Sequence, residues 1–259
     1  MMAAAKRTMY TRSGILQVEG IRMEKIVFWA HRGASGDAPE NTMSAFRLAE
    51  QAGADGLELD VRLTADGVPM VLHDDTLDRT TNVQGMLAAY SRRDLQHVDA
   101  GSWFAPQFAG EGIPALEQVL QWADERLYLN LEIKEYAAGM AVKELLNQFP
   151  RCRVLVSSFD HGLLKALRAQ APEMSVGFLS ESRWWHRQLC DAASCGAKSF
   201  HPRQDLVTPG RIAQCHALGM KVYPWVVDDV ARFRALLRMG VDGVFTNYPA
   251  RLRQGQADV

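Results

Sequence analysis

Short runs rich in β-branched and aromatic residues recur along the chain at Ile26–Ala30, Gly56–Val61, Val68–His73, Leu127–Ile133, Arg153–Ser158, Ser175–Leu179, Ala197–His201, Lys221–Val227 and Val241–Thr246. Most are separated by amphipathic stretches of roughly 10–14 residues, the alternation that makes βα units. A helix between two strands returns the chain to the end from which it started, so consecutive strands lie parallel. The punctuation agrees. Gly53, Gly196, Gly219 and Gly240 each close a helical pattern shortly before a strand, where glycine takes the left-handed cap at no steric cost. Thr208-Pro209 reads as an N-cap followed by proline at the first helical position, and Asp160 caps the segment running to Gln170.

One connection breaks the alternation. Between Asp60 and His73 lie only Val61 to Gly67 and a second strand, too short for a parallel crossover, so the pair is a hairpin turning at Asp66-Gly67. If Thr64 and Gly67 flank the turn, counting back along both arms sets His73 opposite Glu58. Removing that antiparallel arm leaves eight strands that are followed by helices or end the chain. Eight parallel strands in roughly 230 residues give an α/β (β/α)8 TIM-type barrel, here one catalytic domain over residues 25–259 with an extra antiparallel arm. Residues 74–114 lack a sustained period and are expected to form an insertion or cap over the barrel mouth. Residues 1–24 are polar and patternless, a loose extension or an upstream start ahead of Met23.

Charge narrows the partners. Twenty-nine basic residues against 30 acidic ones give a net charge of -1, with no long block of one sign to hold nucleic acid or an anionic membrane. A phosphate must therefore be recognised by a local site. Neither a signal-peptide stretch nor a membrane span is legible, and Cys152, Cys190, Cys195 and Cys215 form no C-x-x-C pair; a cytoplasmic protein with reduced thiols is expected. Of the adjacent Trp184 and Trp185, only one is expected to enter a core. Oligomeric state carries no signal in the sequence.

Working residues of such barrels sit at the C-terminal strand ends. The first strand ends Trp29-Ala30-His31-Arg32-Gly33, the second carries Glu58-Leu59-Asp60, its hairpin partner ends Leu72-His73-Asp74, and the next carries Glu132-Ile133-Lys134. Side chains alternate across a strand, so Glu58 and Asp60 share one face, as do Glu132 and Lys134. E-x-D and E-x-K are common patterns singly; their convergence at one mouth is what points to a site. Three such carboxylates repel unless a cation joins them, and hard oxygen ligands without cysteine point to Mg²⁺ or Ca²⁺. His31 and His73 beside them suit proton transfer to and from the oxygens of a phosphodiester. Arg32 and Lys134 suit its nonbridging oxygens. His97, His161, His186 and His216 read as ordinary core or surface residues.

The segments Ala30–Ala34, Ala38–Thr42, Glu58–Val61, Leu72–Leu77, Asp99–Trp103, Leu131–Lys134 and Ser157–Phe159, in this order, resemble the glycerophosphodiester phosphodiesterases, most closely their compact bacterial cytoplasmic members. The resemblance spans about residues 26–250. It implies hydrolysis of glycerophosphodiesters to sn-glycerol 3-phosphate and an alcohol with a divalent cation. It makes His31 and His73 the acid/base pair, Glu58, Asp60 and Glu132 the metal ligands, and Arg32 and Lys134 the phosphate contacts. It also implies a first attack by the glycerol 2-hydroxyl, with a cyclic phosphate then opened by water, and leaves open which histidine is the base. Trp225 keeps the family's place against the substrate or in the barrel wall. Asp228 stands where the family commonly has asparagine, and Asn247 where aspartate is also common. Glu40-Asn41-Thr42 reads as the capped start of the first helix. Three other readings stand beside this one: a lyase using Lys134 as a Schiff-base amine, disfavoured because Glu132 keeps that amine protonated; a phospholipase D-like lipid hydrolase, for which no amphipathic membrane segment stands out; and a noncatalytic glycerophosphodiester-binding module.

Overall fold

The computed structural model describes residues 25–257 and, ahead of them, three short strands, β1 (Met9–Tyr10), β2 (Leu16–Val18) and β3 (Ile21–Arg22), which pair antiparallel among themselves. The remainder of the leading stretch, Met23 included, lies outside the described residues.

Eight parallel strands follow: β4 (Val27–His31), β5 (Gly56–Leu63), β7 (Tyr128–Ile133), β8 (Arg153–Ser158), β9 (Val176–Ser180), β10 (Ser199–Pro202), β11 (Lys221–Val222) and β12 (Gly243–Thr246). They neighbour one another in chain order, and β12 pairs with β4. The last gap is bridged by backbone bonds from Asp242 N to Val222 O (3.1 Å), Phe245 N to Pro224 O (2.9 Å) and Val227 N to Phe245 O (2.8 Å). The staves therefore form a (β/α)8 barrel. Its helices are α1 (Met43–Gln51), α2 (Leu116–Ala123), α3 (Tyr136–Leu146), α4 (His161–Gln170), α5 (Trp185–Ser194), α6 (Pro209–Ala217), α7 (Val230–Met239) and α8 (Pro249–Ala257). The sequence signals for their ends hold: Asp160 and Thr208 accept the N-cap bonds of α4 and α6, and Gly240 closes α7 in the left-handed region.

Strand alternation sorts the barrel into two layers. Leu57, Leu59 and Val61 of β5 and Leu129, Leu131 and Ile133 of β7 pack outward in the main apolar core, while Glu58, Asp60, Asn130 and Glu132 turn inward, buried. Trp29, Tyr223 and Phe245 form a second cluster inside the barrel. His201 packs there too, with ring centroids 5.0 Å from Phe245 and 5.7 Å from Tyr223. A glycine must face it: a Cβ on Gly177 would lie 2.6 Å from the His201 ring.

The arm β6 (Pro69–Val71) pairs antiparallel with β5, as the short connection requires, but the register differs from the expected one. Val61 faces Val71 and Leu63 faces Pro69, a pairing that sets His73 opposite Leu59 rather than Glu58. The turn explains the slip. Thr64 N–H donates to Val68 O at 3.2 Å, so Ala65, Asp66 and Gly67 form a three-residue loop with Gly67 left-handed at φ 75°. Thr64 Oγ1 locks it by bonding Asp66 Oδ1 (2.6 Å) and Val68 N (2.9 Å). One added loop residue shifts every pair by one.

Beyond the arm, residues 74–114 hold two 3-10 turns, Leu87–Ala89 and Pro106–Phe108, around a separate apolar cluster that includes Leu77, Leu87, Leu95, Val98 and Ile113 together with Met70 and Leu72. Glu111 pins its far end to the start of α1 by accepting from Ser44 N at 3.1 Å and from Ser44 Oγ. On α5, Trp185 is buried against Phe200, whereas Trp184 just before it is 88% exposed.

Candidate active site

The inward residues of β4, β5 and β7 meet at the C-terminal mouth, in a cavity lined by His31, Arg32, Glu58, His73, Asn130, Glu132, Lys134, Phe159, Leu179, Trp225 and Phe245. Seven of the eight residues singled out from the sequence line it; the eighth, Asp60, lies fully buried behind. One ligand oxygen from each of Glu58, Asp60 and Glu132 lies within 4.8 Å of the others. Glu58 Oε2 accepts from Arg32 N at 2.9 Å, while its buried Oε1 has no hydrogen-bond partner. The cations interleave with these carboxylates: Lys134 Nζ lies 2.8 Å from Asp60 Oδ1 and also bonds Glu132, and Arg32 Nε lies 3.3 Å from Asp60 Oδ2.

Titration follows from this crowding. Burial, then the charges of Asp60 and Glu132, push the Glu58 carboxyl well above the usual carboxylate range, and burial with Asp60 does the same to Glu132. Asp60 moves the other way: burial opposes its charge, but Lys134 and Arg32 outweigh it and hold the carboxyl low. For Lys134, burial disfavours the ammonium, and Asp60 and Glu132 more than compensate. An amine held charged in this way is a poor Schiff-base nucleophile. Three buried carboxylates face two cations, an imbalance that a hard dication fits, and the unpartnered Glu58 oxygen is a free donor for one.

The two histidines reach the cavity with their rings set by different partners. His31 Nδ1 lies 2.7 Å from Asn247 Oδ1, which also accepts from Ser35 Oγ at 2.8 Å. Burial first, and the Arg32 charge second, push the His31 imidazole down to about 4. His73 Nδ1 lies 2.6 Å from Asp74 Oδ1. Burial and the charges of Arg32 and Lys134 lower its affinity for a proton against the opposing Asp60 and Asp74. In each ring an oxygen partner at Nδ1 favours a proton there and leaves Nε2 for the cavity.

Several residues of this assembly stand in the segments that carry the family resemblance, but their partners are not legible from local pattern. Asn41 is not the cap of α1, a task taken by Thr42, which accepts from Ala45 N. It sits at φ 58° and donates to Asp60 Oδ2 at 2.8 Å. Arg32, also left-handed at φ 56°, is pinned by Glu40 at 2.9 Å. Asp228 accepts from Thr246 Oγ1 (3.0 Å), Asn247 N (2.8 Å) and Asn247 Nδ2 (2.7 Å), so the two departures from the family pattern are bonded to each other and orient the amide that holds His31. Phe159 meets the Trp225 ring edge-on at 5.5 Å, and Trp225 Nε1 donates to His201 O at 2.8 Å. An asparagine in a tight loop, a far-off amide and a strand-end phenylalanine become site residues only when the barrel closes.

The comparisons agree with this geometry. Residues 31–251 match the model of the glycerophosphoryl diester phosphodiesterase family. A glycerophosphodiester phosphodiesterase of Caldanaerobacter subterraneus subsp. tengcongensis is 37% identical over 241 residues, covering 88% of this chain and 96% of that protein. One of Bacillus subtilis is 31% identical over 249 residues, covering 87% and 85%. Among solved structures, an Oleispira antarctica phosphodiesterase in complex with the product sn-glycerol-3-phosphate superposes with a TM-score of 0.83 at 31% identity, covering 89% of this chain and 96% of that one. The alternation of staves, the convergent carboxylates and these likenesses lead to one conclusion: the chain belongs to the glycerophosphodiester phosphodiesterase family and is a phosphoric diester hydrolase.

Proposed function

We propose that this chain hydrolyses small glycerophosphodiesters to sn-glycerol 3-phosphate and an alcohol, with His31 and His73 as the proton-transfer pair and a divalent cation, Mg²⁺ or Ca²⁺, held by Glu58, Asp60 and Glu132. The observation that carries it is the buried carboxylate triad, whose oxygens come within 4.8 Å of one another in a cavity faced by both imidazoles. A bound dication would supply charge compensation and polarise the phosphoryl oxygens. The chain's own residues do the rest. Arg32 and Lys134 neutralise the nonbridging oxygens as negative charge builds on them. One imidazole takes the proton of the attacking hydroxyl through Nε2, and the other returns a proton to the departing alkoxide, so the pair ends the step with its protonation exchanged. Phe159, Leu179, Trp225 and Phe245 form the apolar wall of the cavity, suited to the carbon skeleton of the substrate, with Trp225 in contact with it.

The product bound to the Oleispira antarctica relative supports the substrate class. A cytoplasmic setting, one catalytic unit over 25–259 with 74–114 beside its mouth, and no nucleic-acid or stable membrane partner belong to the same proposal. No described helix is long and apolar enough to cross a membrane. The test is release of glycerol 3-phosphate from glycerophosphocholine by purified protein, abolished by chelator and restored by Mg²⁺ or Ca²⁺. Turnover that survives exhaustive chelation removes the metal from the reading. Binding of the diester without product leaves a binding module instead.

A further inference from the structure

Arg79 lies outside the cavity lining, on the segment that follows the hairpin arm, yet it joins the supports of two groups inside. Its Nη1 and Nη2 donate to the two oxygens of Glu40 at 2.8 and 2.9 Å, and its Nε and Nη2 donate to the two oxygens of Asp74 at 2.7 and 3.1 Å. Beyond those carboxylates, Glu40 Oε1 accepts from Arg32 Nη1 at 2.9 Å, and Asp74 Oδ1 meets His73 Nδ1 at 2.6 Å. The chain of contacts is thus Arg32, Glu40, Arg79, Asp74, His73, with charges alternating along it. A planar guanidinium bidentate to both carboxylates fixes their spacing and plane in a way a single ammonium cannot. We infer that Arg79 is a positioning residue for the hydrolysis: it sets the Arg32 guanidinium and the His73 imidazole at a fixed separation across the cavity, acting through Glu40 and Asp74.

Two features favour this over a stabilising role. The Arg79 side chain is 45% exposed, so solvent screens much of what its pairs give to folding, bidentate though they are. Each end has a second hold, Arg32 Nε lying 3.3 Å from Asp60 Oδ2 and His73 O accepting from Arg62 Nε at 2.8 Å, but neither of these joins the two groups to each other. Both groups it supports hang on loops, residues 32–42 after β4 and 73–79 after β6, and Arg79 is the side chain that bridges those loops through carboxylates of each. Placement errors of about 1 Å in groups that act on the reacting centre cost up to roughly 100-fold in rate.

This inference rests on the proposed roles of His73 and Arg32, and the experiment separates the two. Wild type, Arg79→Ala, Arg79→Lys and the control Arg92→Ala, whose side chain lies 3.6 Å from the equally exposed Glu117 carboxylate, are assayed for glycerol 3-phosphate from glycerophosphocholine. Melting is followed alongside. Arg79→Ala is expected to keep its melting temperature and lose about 10- to 100-fold in kcat/KM, Arg79→Lys to recover little, and Arg92→Ala to match wild type. Added methylguanidinium should restore Arg79→Ala, and methylammonium at the same concentration should not. In double variants, the losses from Arg79→Ala and Asp74→Asn, and from Arg79→Ala and Glu40→Gln, should fall short of additive. Full turnover by folded Arg79→Ala, rescue by either cation alike, or additive losses would overturn the inference. If wild type itself releases no product, the functional reading fails first. Should Arg79→Ala not fold, Arg79→Lys and its coupling to Asp74→Asn decide the matter.

Discussion

The loop ends at β4 and at β6 each deliver one imidazole to the same cavity, but they hold it differently. His31 leans on a neutral amide, Asn247, which is itself held by Asp228. His73 leans on a carboxylate, Asp74, which is itself held by Arg79. A carboxylate at Nδ1 favours the protonated ring far more than an amide does. Arg79 limits that effect by sharing the Asp74 charge, and it keeps the Asp74 carboxyl down at about 2. The lesson is that one residue type placed twice in one cavity need not titrate alike, because its second partner, not its sequence neighbour pattern, sets its charge preference.

The sharpest way to break the comparison is to remove each ring. His31→Ala and His73→Ala should each lower kcat by about 10²- to 10⁴-fold, measured as glycerol 3-phosphate release; a near-normal rate for either would leave that ring without a proton to move. Changing the supports comes next. Asp74→Asn should cost about 10-fold in kcat and Asn247→Ala less, because the amide at Asn247 orients the ring without stabilising its charge. A larger loss at Asn247 would reverse the contrast. The neutral wall behaves differently again: Trp225→Ala should raise KM by roughly 10-fold with kcat little changed, the pattern of lost uniform binding. Steady-state kinetics decide it, and a kcat-only effect would place Trp225 with the proton-transfer groups.

A third imidazole supplies the control. His201 is fully buried, with Nε2 2.7 Å from Ser199 Oγ and no charged partner, and burial alone pushes it down to about 3. Below the unfolded value of about 6.5, the unfolded chain takes a proton that the folded chain refuses. Stability should therefore fall as the pH drops from about 6.5 toward 3, by up to about 1.4 kcal/mol per pH unit. Urea unfolding across that range checks it, with His201→Gln expected to show the shallower slope. Equal slopes would mean that this ring titrates freely.

How far the sequence reaches differs between these regions. The alternation of short apolar runs and amphipathic stretches foretold all eight staves within a few residues, because strand and helix periods are local properties. The same period placed Glu58, Asp60 and Glu132 inward and together. The hairpin was legible, but its register was not, since Thr64 Oγ1 closes a three-residue loop where a two-residue turn fitted equally well. Glu40 and Asn41 read as helix-start residues; their contacts to Arg32 and Asp60 depend on a left-handed backbone that nothing in the local pattern demands. Asn247 is 216 residues from the ring it holds.

By itself, then, the sequence determined the barrel, the inward face of each stave and the chemical kind of the groups at its mouth, because those follow from periods and residue types that act over a few positions. Only the closed tertiary structure decided which oxygen holds which ring, which carboxylates have their proton affinity raised and which lowered, and which exposed arginine ties two loops together. Those outcomes depend on distances between segments far apart in the chain and on burial, and neither exists until the eight staves meet.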